Sequence, residues 1–152
     1  MAKQKIVLIE DDEILSKVMH AELTEAGFEV IQTFDGEEGL AAVREHKPDL
    51  VLLDLLLPKK HGMEVLEELK DYPDTESVPV IIISQLDSDE NIKMGLSLGA
   101  ADYFVKSQHP VAELKKVNPS MHELVTDSVY GGTIIGPKIG GAFLQNLNGN
   151  HD

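Results

Sequence analysis

Four short apolar runs each end in polar side chains able to do phosphate or cation chemistry. Ile6-Val7-Leu8-Ile9 leads into Glu10-Asp11-Asp12, Leu50-Val51-Leu52-Leu53 into Asp54, Val80-Ile81-Ile82-Ile83 into Ser84, and Tyr103-Phe104-Val105 into Lys106. Two or three carboxylates offer hard oxygen ligands for Mg2+, which prefers carboxylates, waters and phosphate oxygens. A carboxylate standing alone after an apolar strand can attack a phosphoryl group and become an acyl phosphate. A lysine ammonium can neutralise phosphoryl oxygens, and a serine hydroxyl can hydrogen-bond one of them. Phosphoryl transfer asks mainly for such positioning and charge neutralisation. Each piece is weak alone: an Asp-Asp pair usually marks a solvated helix N-terminus, and a lysine after a strand is usually a surface residue. Their meaning depends on whether they converge.

The elements that carry them decide that. Apolar runs of this length, bounded by turns and alternating with helical patterns, read as buried parallel strands. Strands are predicted at Lys5–Ile9, Glu29–Thr33, Leu50–Leu53, Val80–Ile83 and Asp102–Val105. Helix one should run from Glu13 to Ala26, with Ile14, Val18, Leu23 and Ala26 as its inward stripe and Gly27 just past its end. Asp35 is placed to cap helix two, which ends near Glu45 before Pro48. After the turn Leu57-Pro58-Lys59-Lys60-His61-Gly62, helix three turns Val65, Leu66 and Leu69 inward. Helix four spans Ser88 to Leu98 and stops at Gly99. Strict strand–helix alternation with short connections implies a parallel sheet covered on both faces. A closed barrel of eight units needs roughly 250 residues, so an open, doubly wound, five-stranded α/β sheet is expected. Ligands of such sheets gather outside the carboxyl ends of the strands. The acids, Ser84 and Lys106 should therefore share one crevice.

Composition narrows the class. With 152 residues the chain suits one domain and a tail. A net charge of −14 repels phosphate backbones, and the best basic clusters are only Lys59-Lys60 and Lys115-Lys116. Direct nucleic-acid binding is not expected of this chain. No apolar run reaches membrane-spanning length and no signal-peptide pattern opens the chain, so no membrane insertion and a cytoplasmic location are expected. Cysteine is absent, which removes disulfides, thiol catalysis and thiolate metal sites; the six histidines show no paired metal-ligand spacing.

The joint pattern of Glu10-Asp11-Asp12, Asp54 with Pro58 and Gly62 in the following loop, Ser84, and Phe104-x-Lys106 resembles the receiver domain of bacterial two-component response regulators. The resemblance spans about residues 5–117 and implies a flavodoxin-like sheet. It also implies roles. Asp54 is expected to accept a phosphoryl group from a sensor histidine kinase or a phosphotransfer protein. Asp11, Asp12, Asp54 and the backbone carbonyl of Leu56 are expected to hold Mg2+. Lys106 pairs with the phosphoryl oxygens, Ser84 turns inward to bond them, and Phe104 follows into the vacated space. That is a two-state packing switch biased by charge at Asp54. The outcome is altered contact with a downstream protein that the sequence does not identify.

This chain departs from the family pattern at three places: Gln85 follows the switch hydroxyl where a small residue is usual, Ser107 follows the lysine where proline is usual, and His61 precedes Gly62. His61 reads as a solvated loop side chain. Leu56 and Leu86, two positions beyond Asp54 and Ser84, offer no hydrogen bond to orient a hydrolytic water, so a long-lived phosphoryl state is expected. The rival readings are a receiver-like binding module that is never phosphorylated and an aspartyl-phosphate hydrolase. The second lacks its usual Asp-x-Asp, because Leu55 and Leu56 follow Asp54.

The receiver is expected over 1–117 and a C-terminal extension over 118–152. Pro110 opens a fifth helix through Val111, Leu114 and Val117, and Pro119 starts a short one before Gly131. Beyond Ser128 only Lys138 and Asp152 are charged, and Ile134, Ile135, Ile139, Phe143, Leu144 and Leu147 make the tail too apolar for an inert linker. The tail is expected to pack on its own domain or, in a homodimer, on a second subunit.

Overall fold

A computed structural model of the chain describes residues 3–106. The fifth helix, the short helix after Pro119, the apolar tail, the 117/118 boundary and Ser107 lie outside the described residues. Within them the order is β1 (Lys5–Ile9), α1 (Glu13–Glu25), β2 (Glu29–Thr33), α2 (Gly36–His46), β3 (Leu50–Leu53), α3 (Gly62–Asp71), β4 (Val80–Ser84), α4 (Asp89–Ser97) and β5 (Asp102–Val105). All pairs are parallel and the sheet order is β2-β1-β3-β4-β5. The order reverses beside β1, and the crevice above β1 and β3 is where such a sheet takes ligands.

Two apolar layers sandwich the sheet. Ile6, Leu8, Leu50, Leu52, Ile81, Ile83 and Phe104 pack with the α1 side chains Leu15, Val18, Met19 and Leu23. On the opposite face Val7, Ile9, Val51, Leu53, Val80, Ile82 and Tyr103 pack with α2 and α3. Strands alternate faces with period two, so strands buried on both sides read as unbroken apolar runs. The predicted α1 stripe is partly wrong. Val18 and Leu23 are buried with Leu15 and Met19, but Ile14 is 64% exposed and Ala26 lies on the surface. Ile14 sits one residue, about 100° of helix rotation, from the Leu15 row that faces the sheet.

The helix starts are chemically defined. Asp12, Asp35 and Ser88 cap α1, α2 and α4 by accepting from the backbone N–H groups of Leu15, Glu38 and Asn91. His61 is a cap too, not merely a solvated side chain. Its Nδ1 accepts from Met63 N–H at 3.1 Å while Glu64 accepts from His61 N–H at 3.2 Å, a reciprocal capping box. Next to it Gly62 must be glycine: a Cβ there would lie 2.3 Å from the Asp54 carbonyl oxygen.

Candidate functional site

Backbone hydrogen bonds continue the ladders past the strand ends and fix the site residues. Glu10 N–H donates to Thr33 O, Asp54 N–H to Ile9 O, and Lys106 N–H to Ser84 O, at 3.1, 2.9 and 2.7 Å. β1, β3 and β5 thus deliver Glu10, Asp54 and Lys106 to the same edge. A cavity opens there, lined by Glu10, Asp11, Asp12, Asp54, Leu56, Gln85 and Lys106. Lys106 Nζ lies 2.8 Å from Glu10 Oε1 and 3.2 Å from Asp54 Oδ2. Asp54 Oδ1 accepts from Leu55 N–H at 2.7 Å, with Leu56 N–H at 3.4 Å. The carboxylate is therefore held in one orientation from both ends.

The carboxylates available to a cation differ from those expected. Oxygens of Glu10, Asp11 and Asp54 all lie within 4.8 Å of one another. Asp12 is not in this group; it lines the cavity, but its Oδ1 accepts from Leu15 N–H at 3.0 Å and caps α1. The ligand-like pair is thus Glu10-Asp11 rather than Asp11-Asp12. β1 ends at Ile9, so Glu10 turns inward and is 1% exposed, whereas Asp12 begins the helix. An all-oxygen donor set of three acids fits a hard divalent cation such as Mg2+.

Burial without full charge balance shifts the titrations. Burial pushes the Glu10 carboxyl up to about 7, the Asp54 charge adds to the rise, and Lys106 opposes it. Burial also raises Asp54 above the usual carboxylate range, again against Lys106. Burial works to lower Lys106, but the Glu10 and Asp54 charges outweigh it and hold the ammonium above its ordinary value. The cluster has one cation for three acids, a deficit that a bound cation would fill.

The expected switch residues part company. Ser84 is fully buried and does not line the cavity; its Oγ accepts from Leu86 N–H at 3.1 Å. Phe104 pairs with Ile83 and packs with Ile81 and Leu8 on the α1 face, opposite to Ser84. The aromatic on the Ser84 face is Tyr103, whose hydroxyl donates to Leu86 O at 2.5 Å. Burial raises the Tyr103 phenol above its usual value, with the Ser84 hydroxyl bonding it and working against the rise. The leucine pair separates as well. Leu56 is 45% exposed and lines the cavity, whereas Leu86 packs against the α2–α3 core layer. Gln85 is exposed at the cavity wall.

The chain resembles known proteins in sequence and fold. The family described as the response regulator receiver domain matches residues 6–118. The chain is 40% identical over 100 residues to the uncharacterized transcriptional regulatory protein YcbL of Bacillus subtilis (strain 168), covering 66% of this chain and 43% of that protein. It is 30% identical over 142 residues to the alkaline phosphatase synthesis transcriptional regulatory protein PhoP of the same strain, covering 88% and 58%. The chain therefore spans about half the length of these curated relatives. Among solved structures, the Mn(2+)-bound form of response regulator Rcp1 is similar, with TM-score 0.66, 31% identity and coverage of 75% of this chain and 88% of that one. So is the BeF3-activated N-terminal receiver domain of Klebsiella pneumoniae RstA, with TM-score 0.64, 32% identity and coverage of 77% and 97%.

Proposed function

Since the chain belongs to the response regulator receiver domain family, a family of phosphoacceptor signalling domains, we propose that Asp54 is its phosphoacceptor. One observation carries the assignment: a single buried ammonium, Lys106, bridges acids delivered by two different strands, Glu10 and Asp54. An Asp54 carboxylate oxygen attacks the phosphorus of a phosphohistidine on a sensor histidine kinase or phosphotransfer protein. A P–O bond forms, the P–N bond breaks, and the departing electron pair remains on the imidazole nitrogen. Lys106 stays against the phosphoryl oxygens and offsets their charge. Leu55 N–H holds the other end of the carboxylate, so the nucleophile needs little reorientation.

Receiver domains bind Mg2+ at an acidic pocket, and Glu10, Asp11 and Asp54 with the Leu56 carbonyl are the residues that would hold it here. Bound there, the ion would supply charge neutralisation for the incoming phosphoryl group. Asp12 serves α1 instead. For the switch we assign Tyr103, in place of Phe104, as the aromatic that responds when Ser84 turns toward the phosphoryl group. The assignment is supported by the hydrogen-bonded path Ser84–Leu86–Tyr103. The output is a change in protein–protein contacts in the cytoplasm, and the chain transforms no substrate of its own. The domain is taken as residues 1–117, with 118–152 as an extension that packs on the domain or on a second copy. The receiver-like module that is never phosphorylated is not favoured, since acceptor, acids, lysine and hydroxyl are all present. The hydrolase reading has no second acid, because Leu56 occupies its position.

Incubation with acetyl phosphate and Mg2+ tests the assignment. Wild type should gain the mass of one phosphoryl group and Asp54→Asn should gain none. Equal incorporation by both would reject Asp54.

A further inference from the structure

α4 meets the sheet most closely at a residue with no side chain. Gly95 is its one buried residue, flanked by the half-buried Ile92 and Leu96 packed on the core, whereas α1, α2 and α3 each bury several. A Cβ at position 95 would lie 2.6 Å from Ile82 Cδ1, and 3.2 and 3.5 Å from Tyr103 Cδ2 and Cε2. At this turn the helix backbone therefore lies close against the Ile82 and Tyr103 side chains. The same tyrosine holds the loop that leads into α4, through its hydroxyl on Leu86 O. Tyr103 is fully buried, so one side chain supports α4 at its middle turn and at its approach. Rotating the ring outward removes both supports together.

A glycine inside a helix costs about 0.8–1 kcal/mol relative to alanine. Here the missing methyl has a use: Ile82 Cδ1 is the end of a flexible side chain and can shift, whereas the 3.2 Å contact asks the buried Tyr103 ring, or the helix above it, to give by a few tenths of an ångström. We propose that Gly95 is a positioning residue of the switch: it lets α4 sit on the inward ring, so that close seating of α4 and the inward rotamer of Tyr103 are one event. The inference rests on Tyr103 being the switch aromatic. It implies that a methyl at position 95 shifts the switch without touching the phosphoryl site.

The test is 19F NMR of the full chain labelled with 3-fluorotyrosine, the Tyr103 signal assigned by its loss in Tyr103→Phe. Wild type and Gly95→Ala are compared with and without Mg2+ and beryllofluoride. The expected result is a Tyr103 signal that responds to beryllofluoride in wild type. In Gly95→Ala the free protein should hold the inward signal less, and beryllofluoride should bind about fivefold or more weakly, because the coupling is reciprocal. A wild-type Tyr103 signal that ignores beryllofluoride would overturn the assignment of Tyr103 itself. A signal that responds equally in both proteins would overturn only the role of Gly95. So would full restoration by Ile82→Val in the Gly95→Ala background, since the methyl would then act through Ile82 alone. If Gly95→Ala does not fold, Tyr103→Leu serves: amides of 92–98 should exchange severalfold faster while those of 65–69 do not change. Unchanged exchange in 92–98 would overturn the proposal.

Discussion

α3 and α4 follow the two loops that meet at the cavity, yet they are attached to the sheet in opposite ways. α3 buries Gly62, Met63, Val65, Leu66 and Leu69 and starts with a reciprocal capping box. α4 buries Gly95 alone, and Met94 on its surface is 46% exposed. A fully buried aliphatic side chain stabilises by about 1.5–3 kcal/mol, so the fully buried Val65, Leu66 and Leu69 anchor α3 more firmly than the half-buried Ile92 and Leu96 anchor α4. Lys70 adds to it by donating to Glu76 O and Val78 O, both at 3.1 Å. The contrast matches the division of labour. The loop that bears the acceptor must keep its geometry while a phosphoryl group arrives, whereas the loop that reads the charge must have a second position available.

The contrast can be attacked first at its two close-packed glycines. A methyl at Gly62 would meet backbone, 2.3 Å from Asp54 O and 2.5 Å from Leu55 Cα, whereas one at Gly95 meets side-chain atoms. Gly62→Ala should therefore cost about 3 kcal/mol or more in urea unfolding, against about 1–2 for Gly95→Ala. Equal costs would mean that the two helices are equally fixed.

The next effect is electrostatic and sits on the anchored side. With Glu10 raised to about 7, the folded protein holds a proton between its ordinary value and 7 that the unfolded chain has released. Stability should thus be greatest below that window and fall as pH rises through it, by an amount on the order of 3 kcal/mol. Asp54 acts in the same sense. Glu10→Gln should flatten that slope in urea titrations at several pH values; a slope unchanged by the substitution would count against the buried cluster. Mg2+ affinity, read by fluorescence or calorimetry, should rise with pH in the same window, by at most about tenfold per unit, because the ligands must lose their protons.

A smaller change concerns lifetime. Leu56→Asn should hasten spontaneous loss of the phosphoryl group severalfold, since the amide can orient a water where leucine cannot. Leu86→Asn should act mainly on stability, because Leu86 packs into the core layer. Decay of phosphorylated protein after donor removal measures both, and a slower Leu56→Asn would reject the idea. The smallest effects are the caps. His61→Ala and Ser88→Ala should each cost about 0.5–2 kcal/mol. In α3 the loss should appear in global unfolding, and in α4 as local hydrogen exchange; the reverse assignment would invert the comparison.

The sequence made most of the fold legible because a strand buried on both faces leaves an uninterrupted apolar run. β1, β3, β5 and the α2 cap at Asp35 are where the runs and turn residues put them, and β4 extends one residue further, to Ser84. Choices of one residue are less legible. A run of acids does not announce where strand gives way to helix cap, so the expected pair Asp11-Asp12 includes the α1 cap while Glu10 faces the cavity. A four-residue apolar strand does not reveal its faces, and Phe104 lies on the α1 face while Tyr103 lies on the other. Both had usable signals. An Asp three residues before a buried leucine suits an N-cap, and a buried tyrosine requires a hydroxyl partner that a phenylalanine does not. Gly95 had one as well, since glycine in the middle of a helix asks for a packing reason. The register of β4 against β5 is what sets Tyr103 beside Ile82 and Phe104 beside Ile83, and register is a property of the folded pair.

The central claim is that Asp54 alone becomes phosphorylated. Treating the phosphorylated full chain with borotritide or borohydride reduces an acyl phosphate to the alcohol, and peptide mass spectrometry then locates it. Homoserine is expected at position 54, with aspartate or glutamate unchanged at 10, 11 and 12. Homoserine at another position, with 54 left intact, would contradict it.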